Sequence, residues 1–206
     1  ETKFFVKLSF FFYYALTITI KLIHSYIAIR ESQTINMKKH SGMRPHDVVI
    51  LLKIVAKGDA SWFNKDLANE LYISQSEISE SLNRSKIAGL ISGDKKQVFK
   101  LALLDFLRYG LRYVYPEQPS SLVRGVPTSH SAPPLNEVIQ SEQNFVWPYA
   151  LGTNRGFSVE PLHPNVPKAC LEDPKLYELL AMTDALRLGK ARERNLAIEE
   201  LEKRLQ

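Results

Sequence analysis

Residues 64–91 read NKDLANELYISQSEISESLNRSKIAGLI, and the spacing within this stretch decides the fold. Leu67, Ala68 and Leu71 recur at the intervals of one helical face, which predicts a helix over 65–71 capped by Asn64. Ala68 is small enough to let a following helix cross closely. Ser74-Gln75-Ser76-Glu77 is a capping-box sequence: the Ser74 hydroxyl accepts from the Glu77 amide, and the Glu77 carboxylate accepts from the Ser74 amide. A further helix therefore starts there, with Ile78 and Leu82 inward, Ile87 and Leu90 continuing the core, and Gly89 at its terminus. Between the two helices Tyr72-Ile73-Ser74 is a short turn, with Ile73 as its apolar plug.

Upstream, Val48, Leu51, Leu52 and Val55 follow the same period, and Lys57-Gly58-Asp59 stops the run, giving a helix over 46–57. With Ile78 and Leu82 turned inward, the third helix leaves Gln75, Ser76, Ser79 and Asn83 outside, with Arg84 beside them. These are short hydrogen-bonding groups and a guanidinium, suited to base edges and phosphates. Glu80 opposes that reading by its charge. Downstream, Ser92-Gly93-Asp94-Lys95-Lys96-Gln97 has turn chemistry and two lysines.

LANELYISQSEISESLNRSKIAGLI resembles the helix-turn-helix of MarR-like and related winged-helix transcriptional regulators, in which LAxxLxxSxxxxSxxLxxLxxxGLI is common. The resemblance covers about thirty residues. It implies a bacterial, sequence-specific DNA-binding regulator whose recognition helix, about 75–86, enters the major groove. Base-facing residues are then Gln75, Ser76, Ser79, Asn83 and Arg84. Lys65, Lys86, Lys95 and Lys96, with Lys100 beside them, hold phosphates. Loop 92–97 takes the place of the wing, which is short or absent. Double-stranded DNA is the expected partner, and a homodimer reading two half-sites is the expected assembly. Tyr72 departs from the pattern, because many such proteins place a positive-φ glycine there and a tyrosine is strained in that conformation.

Charge agrees with an anionic partner. Of the net +5, residues 37–112 carry 13 Lys/Arg against 8 Asp/Glu, whereas residues 113–172 are net negative and 173–206 are balanced. A single cysteine, Cys170, excludes an intramolecular disulfide and a multi-thiolate metal site, in keeping with a reducing cytoplasm.

Residues 1–36 form an apolar, aromatic extension. Leu8–Ile20 is an uncharged run of 13 residues, short of the roughly 20 a spanning helix needs, and a span over 4–29 must accommodate Lys21 and His24. Composition changes at Met37-Lys38-Lys39. The segment is read as an over-extended start before Met37, as a membrane anchor over 4–29, or as a packed helix or hairpin.

Residues 98–115 read as a mostly buried helix closing a 37–115 DNA-binding domain. Nine of the eleven prolines fall between Pro116 and Pro167. Phe145, Val146, Trp147, Tyr149 and Phe157 are anchors that a disordered linker lacks, so 116–172 reads as an irregular, ordered Pro/aromatic segment. Arg124-Gly125 and Arg155-Gly156 invite a phosphate-binding reading, but their spacing makes no Gly-rich phosphate cradle, so they read as turns. From Asp173-Pro174 a long helix runs to the end, with Leu176, Leu179, Leu180, Thr183, Leu186 and Leu188 on its apolar side and Leu196, Ile198, Leu201 and Leu205 extending it. Gly189 is a point where it can split. This 173–206 segment suits packing or oligomerisation, or contact with a partner protein.

The five histidines are scattered without metal-ligand spacing, and no nucleophile motif surrounds Cys170 or Ser129-His130. No catalytic residue, metal or cofactor is expected. The fold expectation is mainly α: a helix-turn-helix with a short or absent wing, an irregular Pro-rich segment, and a long C-terminal helix. The competing function is an antitoxin-like adaptor that binds a partner protein through its second half.

Overall fold

The structure, a computed structural model, describes residues 42–205. Helix α1 (Pro45–Lys57) begins with a proline, whose fixed φ suits a first turn, and Asp47 Oδ2 accepts from the Arg44 amide at 2.8 Å. Val48 to Leu52 are all buried, so α1 is enclosed by other elements and has no solvated side at its middle.

Helix α2 (Asn64–Leu71) starts one residue earlier than its sequence predicts. The cap position is Phe63, whose amide donates to Asp66 Oδ2 at 2.9 Å, and Asn64 is the first helical residue rather than the cap. Helix α3 (Gln75–Ile87) begins at Ser74, whose hydroxyl accepts from the Glu77 amide at 3.3 Å. The reciprocal half of the expected box is absent, because the Glu77 carboxylate turns to Arg84 and His46. At the other end Gly89 takes φ +71°, with Leu90 N donating to Ser85 O and Gly89 N to Lys86 O. That pair of bonds is a Schellman stop, and glycine allows the left-handed residue it needs. Ile87, expected in the core, is 67% exposed. It stands five residues beyond Leu82, off the inward row.

A single antiparallel bridge, Ile91 to Val98, closes loop 92–97, with Ser92 N donating to Gln97 O at 2.8 Å and Phe99 N to Leu90 O at 2.9 Å. The following helix is α4 (Lys100–Asp105), a π-helical turn (Phe106–Gly110) and α5 (Leu111–Val114) in continuous succession. Its buried row is Leu103, Leu104, Leu107 and Leu111, whereas Phe99 and Leu101, expected inside, are exposed.

The Pro-rich segment is not irregular throughout. It holds three strands, β1 (Leu122–Pro127), β2 (Phe145–Pro148) and β3 (Asn154–Ser158), each paired with both others. β1 runs antiparallel to β2 and β3, which are parallel to each other. The two Arg-Gly steps expected as turns lie in strands, Arg124 opposite Arg155. Glycine is required there because a Cβ on Gly125 would stand 1.9 Å from Trp147 O, and one on Gly156 2.5 Å from Asn144 O.

Helix α6 (Val166–Glu172) leads into α7 (Pro174–Leu188), capped by Asp173, whose Oδ1 accepts from the Leu176 amide at 3.1 Å. The long C-terminal helix of the sequence reading is interrupted at Gly189-Lys190, and α8 (Ala191–Leu205) folds back on α7, where Arg204 meets Glu178 at 2.9 Å. α7 is buried from Leu179 through Arg187, including Asp184 and Arg187. Asp184 accepts from Thr128 Oγ1 (2.8 Å), Trp147 Nε1 (2.5 Å) and Arg187 (2.7 Å), while Arg187 also donates to the carbonyls of Tyr115 and Glu160. This satisfied polar knot fastens the strands and the end of α5 to α7.

The result is mainly helical with a small three-stranded sheet, and one core runs from Val48 to Leu205 across the boundaries drawn from sequence after residues 115 and 172. No helix among the described residues is long and apolar enough to cross a membrane. The readings of residues 4–29 and of a start at Met37 lie outside the described residues.

Candidate nucleic-acid interface

The candidate interface builds up from α3. Its inner side is Ile78 and Leu82, with Ser81 and Ser85 wholly buried against the neighbouring helices. At roughly 100° per residue, the opposite arc runs from Gln75 and Lys86 at one edge, through Ser79 and Asn83, to Ser76, Ile87 and Glu80. Gln75, Ser76, Glu80, Lys86 and Ile87 are exposed, and Ser79 and Asn83 are half-buried. Four of the five expected base-facing residues thus share one outer face. Glu80 lies at its margin.

The fifth, Arg84, does not belong to that face. It is 6% exposed, and its guanidinium forks onto Asp47, Nε to Oδ2 at 2.9 Å and a terminal nitrogen to Oδ1 at 2.7 Å. The same nitrogen donates to Glu77 Oε1 at 2.7 Å. Asp47 is wholly buried, so Arg84 is the counter-charge of an acid inside the protein and fixes α3 against α1. Its hydrogen bonds to Asp47 outweigh burial and raise its pKa further, so it stays charged. Burial alone would raise the Glu77 carboxyl, but hydrogen bonds from Arg84 and His46 outweigh it and hold it below the ordinary carboxylate value. His46 Nε2 stands 2.7 Å from Glu77 Oε1, and the rings of His46 and His163 are 6.0 Å apart, which their sequence separation conceals.

Of the expected phosphate contacts, Lys65 on α2 and Lys86 on α3 are exposed, and Lys95 is half-buried in the bridged loop with φ +62°. Lys96 is committed elsewhere. Its ammonium lies 4.3 Å from the centroid of Trp62 and donates to Trp62 O at 3.0 Å, on the rim of an open groove of about 1080 Å³ that Phe63, Phe99 and Leu101 also line.

Tyr72 keeps the left-handed conformation, at φ +56° and ψ +38°, that the sequence pattern assigns to glycine. Three residues around α6 hold it. Asn165 Nδ2 donates to Tyr72 O at 2.7 Å, the Tyr72 hydroxyl donates to Glu172 Oε1 at 2.6 Å, and the Lys168 ammonium sits 3.6 Å over the ring. The hydrogen bond to Glu172 raises the phenol pKa. The second half of the chain therefore braces the turn between α2 and α3. A tyrosine in place of glycine is the one sequence signal of that contact.

Ile87 is the residue the sequence reading misplaced to most effect, since it adds an exposed branched apolar side chain to the outer face of α3. Comparison of the chain with family models, with curated proteins and with solved structures finds no match in any of the three. Among the described residues, no group of three or more His, Cys, Asp or Glu can hold a metal ion. Cys170 is buried, and burial raises its thiol pKa well above the ordinary value, which disfavours the nucleophilic thiolate.

Proposed function

We propose that the chain is a sequence-specific regulator that binds double-stranded DNA through a winged helix-turn-helix of α1, α2, α3 and the bridged loop. The observation that carries this reading is the outer face of α3. Gln75, Ser76, Ser79 and Asn83 offer donors and acceptors for base edges, Ile87 an apolar contact for a thymine methyl, and Lys86 a phosphate contact at the same edge as Gln75. Arg84 takes a positioning role in this account. Through Asp47 it sets the angle at which α3 leaves α1.

The brace on Tyr72 supports the same reading, because a recognition helix must be held to a fraction of an ångström by the elements behind it. A gel-shift titration on the DNA upstream of the chain's own gene tests it. Salt-sensitive binding by the wild type, lost in Ser79→Glu at unchanged folded content, is expected. Equal binding by Ser79→Glu removes the α3 assignment.

One observation favours a protein partner, either as the sole activity or beside DNA binding. Leu101, Tyr109, Tyr113 and Val114 stand exposed on the helix that follows the bridged loop. Large exposed apolar and aromatic groups in one stretch suit a protein contact, and a second copy giving a homodimer with two half-sites is the assembly proposed. Size determination of the purified chain discriminates: a monomer at micromolar concentration would remove the dimer from the account.

A further inference from the structure

Arg124 and Arg155 face each other across the β1–β3 pair, and both are exposed. Like charges directly opposite on antiparallel strands are destabilising, and proteins usually neutralise such a pair with a neighbouring carboxylate. Here no acidic side chain among the described residues reaches either guanidinium. Arg84, Arg108, Arg187 and Arg204 each meet one, and of the described arginines that do not, these two stand directly opposite each other on paired strands.

The backbone under the pair is unusually constrained. The residue after each arginine is the glycine that lets β2 press against both strands, Gly125 against Trp147 O and Gly156 against Asn144 O. β1 is hydrogen-bonded along both edges and β3 is paired with it, so Arg124 projects from a strand held on either side and Arg155 from the strand registered against it. Guanidiniums are planar forks that match phosphate oxygens two at a time, and a rigid platform reduces what must be ordered when a ligand arrives.

We propose that Arg124 and Arg155 form a binding site for a phosphate group, held between the two guanidiniums. An anionic phosphate group at that point turns one repulsion into two attractions, which accounts for a pair that is unfavourable when empty. The phosphate comes either from a nucleic-acid backbone or from a free phosphate or pyrophosphate compound. The site does not rest on the α3 reading, because its first test contains no DNA.

Thermal melting of the full chain in sodium pyrophosphate, against sodium chloride and sodium malonate at equal ionic strength, tests the proposal. At about ten times its dissociation constant, pyrophosphate raises the wild-type Tm by about 3–6 °C over chloride. In Arg124→Gln/Arg155→Gln the shift disappears, while the Tm without phosphate equals or exceeds that of the wild type because the repulsion has gone. Arg155→Gln alone retains less than half the shift. An undiminished shift in the double variant, no shift in the wild type, or an equal shift in malonate overturns the proposal. Duplex-DNA titrations then separate the sources. A salt slope lower by about 1 in the double variant identifies a backbone phosphate, and an unchanged slope with the pyrophosphate shift lost identifies a free one.

Discussion

Replacing Arg84 by alanine separates a positioning arginine from a DNA-contacting one. In the native chain its guanidinium makes two hydrogen bonds to Asp47, at 2.9 and 2.7 Å, and Asp47 is wholly shielded from water. Among the described residues, Arg84→Ala leaves that carboxylate buried with the Arg44 amide at 2.8 Å as its donor and the His46 imidazole 3.6 Å away. Breaking a buried pair by removing one partner costs about 3–5 kcal/mol, far above the roughly 0.5 kcal/mol of a typical surface substitution. At about 2–4 °C per kcal/mol for a chain of this size, the Tm falls by about 6–20 °C. Removing both charges as Asp47→Leu/Arg84→Met restores most of the loss. What remains is the missing cap on the Arg44 amide, about 0.5–2 kcal/mol, together with the lost bond to the part-exposed Glu77. Urea denaturation followed by circular dichroism reads the wild type and both variants, with the midpoint moving and the slope constant. An Arg84→Ala midpoint equal to wild type would refute the positioning role.

Three further predictions address other parts of the molecule. Gly125→Ala places a methyl into Trp147 O and forces β1 from β2, so it unfolds the chain at a temperature well below that of Gly93→Ala, whose Cβ meets nothing within 4 Å; equal melting curves would contradict the register. Trp147→Phe deletes the indole donor to Asp184, a bond to a charged group worth about 1.5–3 kcal/mol, and calorimetry should show a loss of that order. Lys53 lies between Glu70 (2.6 Å) and Asp173 (2.7 Å); burial would raise both carboxyls, but its hydrogen bonds hold them below their ordinary 4.5 and 3.8. The folded pKa values being depressed, their stabilisation is full above pH 4.5 and is lost as pH falls through the folded values, whereas Lys53, raised above 10.5, keeps its contribution below 10.5 and loses it as pH rises through its own. Lys53→Met should flatten both limbs of the stability profile, and a variant with the wild-type acid limb would disprove the pairing.

The helices around the turn were legible because their signals are local. Leu67, Ala68, Leu71, Ile78 and Leu82 keep the helical interval, and the Ser74 hydroxyl accepts from the Glu77 amide within its own turn, so each element follows from its own residues. Arg84 was not legible, since its position at the edge of the outer arc is compatible with solvent, and the acid that claims it lies 37 residues upstream. Tyr72 gave half the answer. Its departure from glycine marked the turn as special, but the Asn165, Lys168 and Glu172 brace comes from a hundred residues away. The three strands escaped notice because they are four to six residues long, rich in glycine and proline, and stabilised by pairing between distant segments rather than by alternation. α7 misled in a different way. It is buried on nearly every side, so Asp184 and Arg187, to which its sequence pattern assigns no inward place, form an internal knot.

The most direct measurement of the central claim is selection from a random duplex library, run in parallel with wild-type protein and Asn83→Ala. Wild type should enrich one motif, and Asn83→Ala, at unchanged stability, should relax the preference at about one base pair per half-site while leaving the other positions intact. Enrichment of no motif by the wild type, or an identical motif from both proteins, contradicts the assignment of α3 as the element that reads DNA.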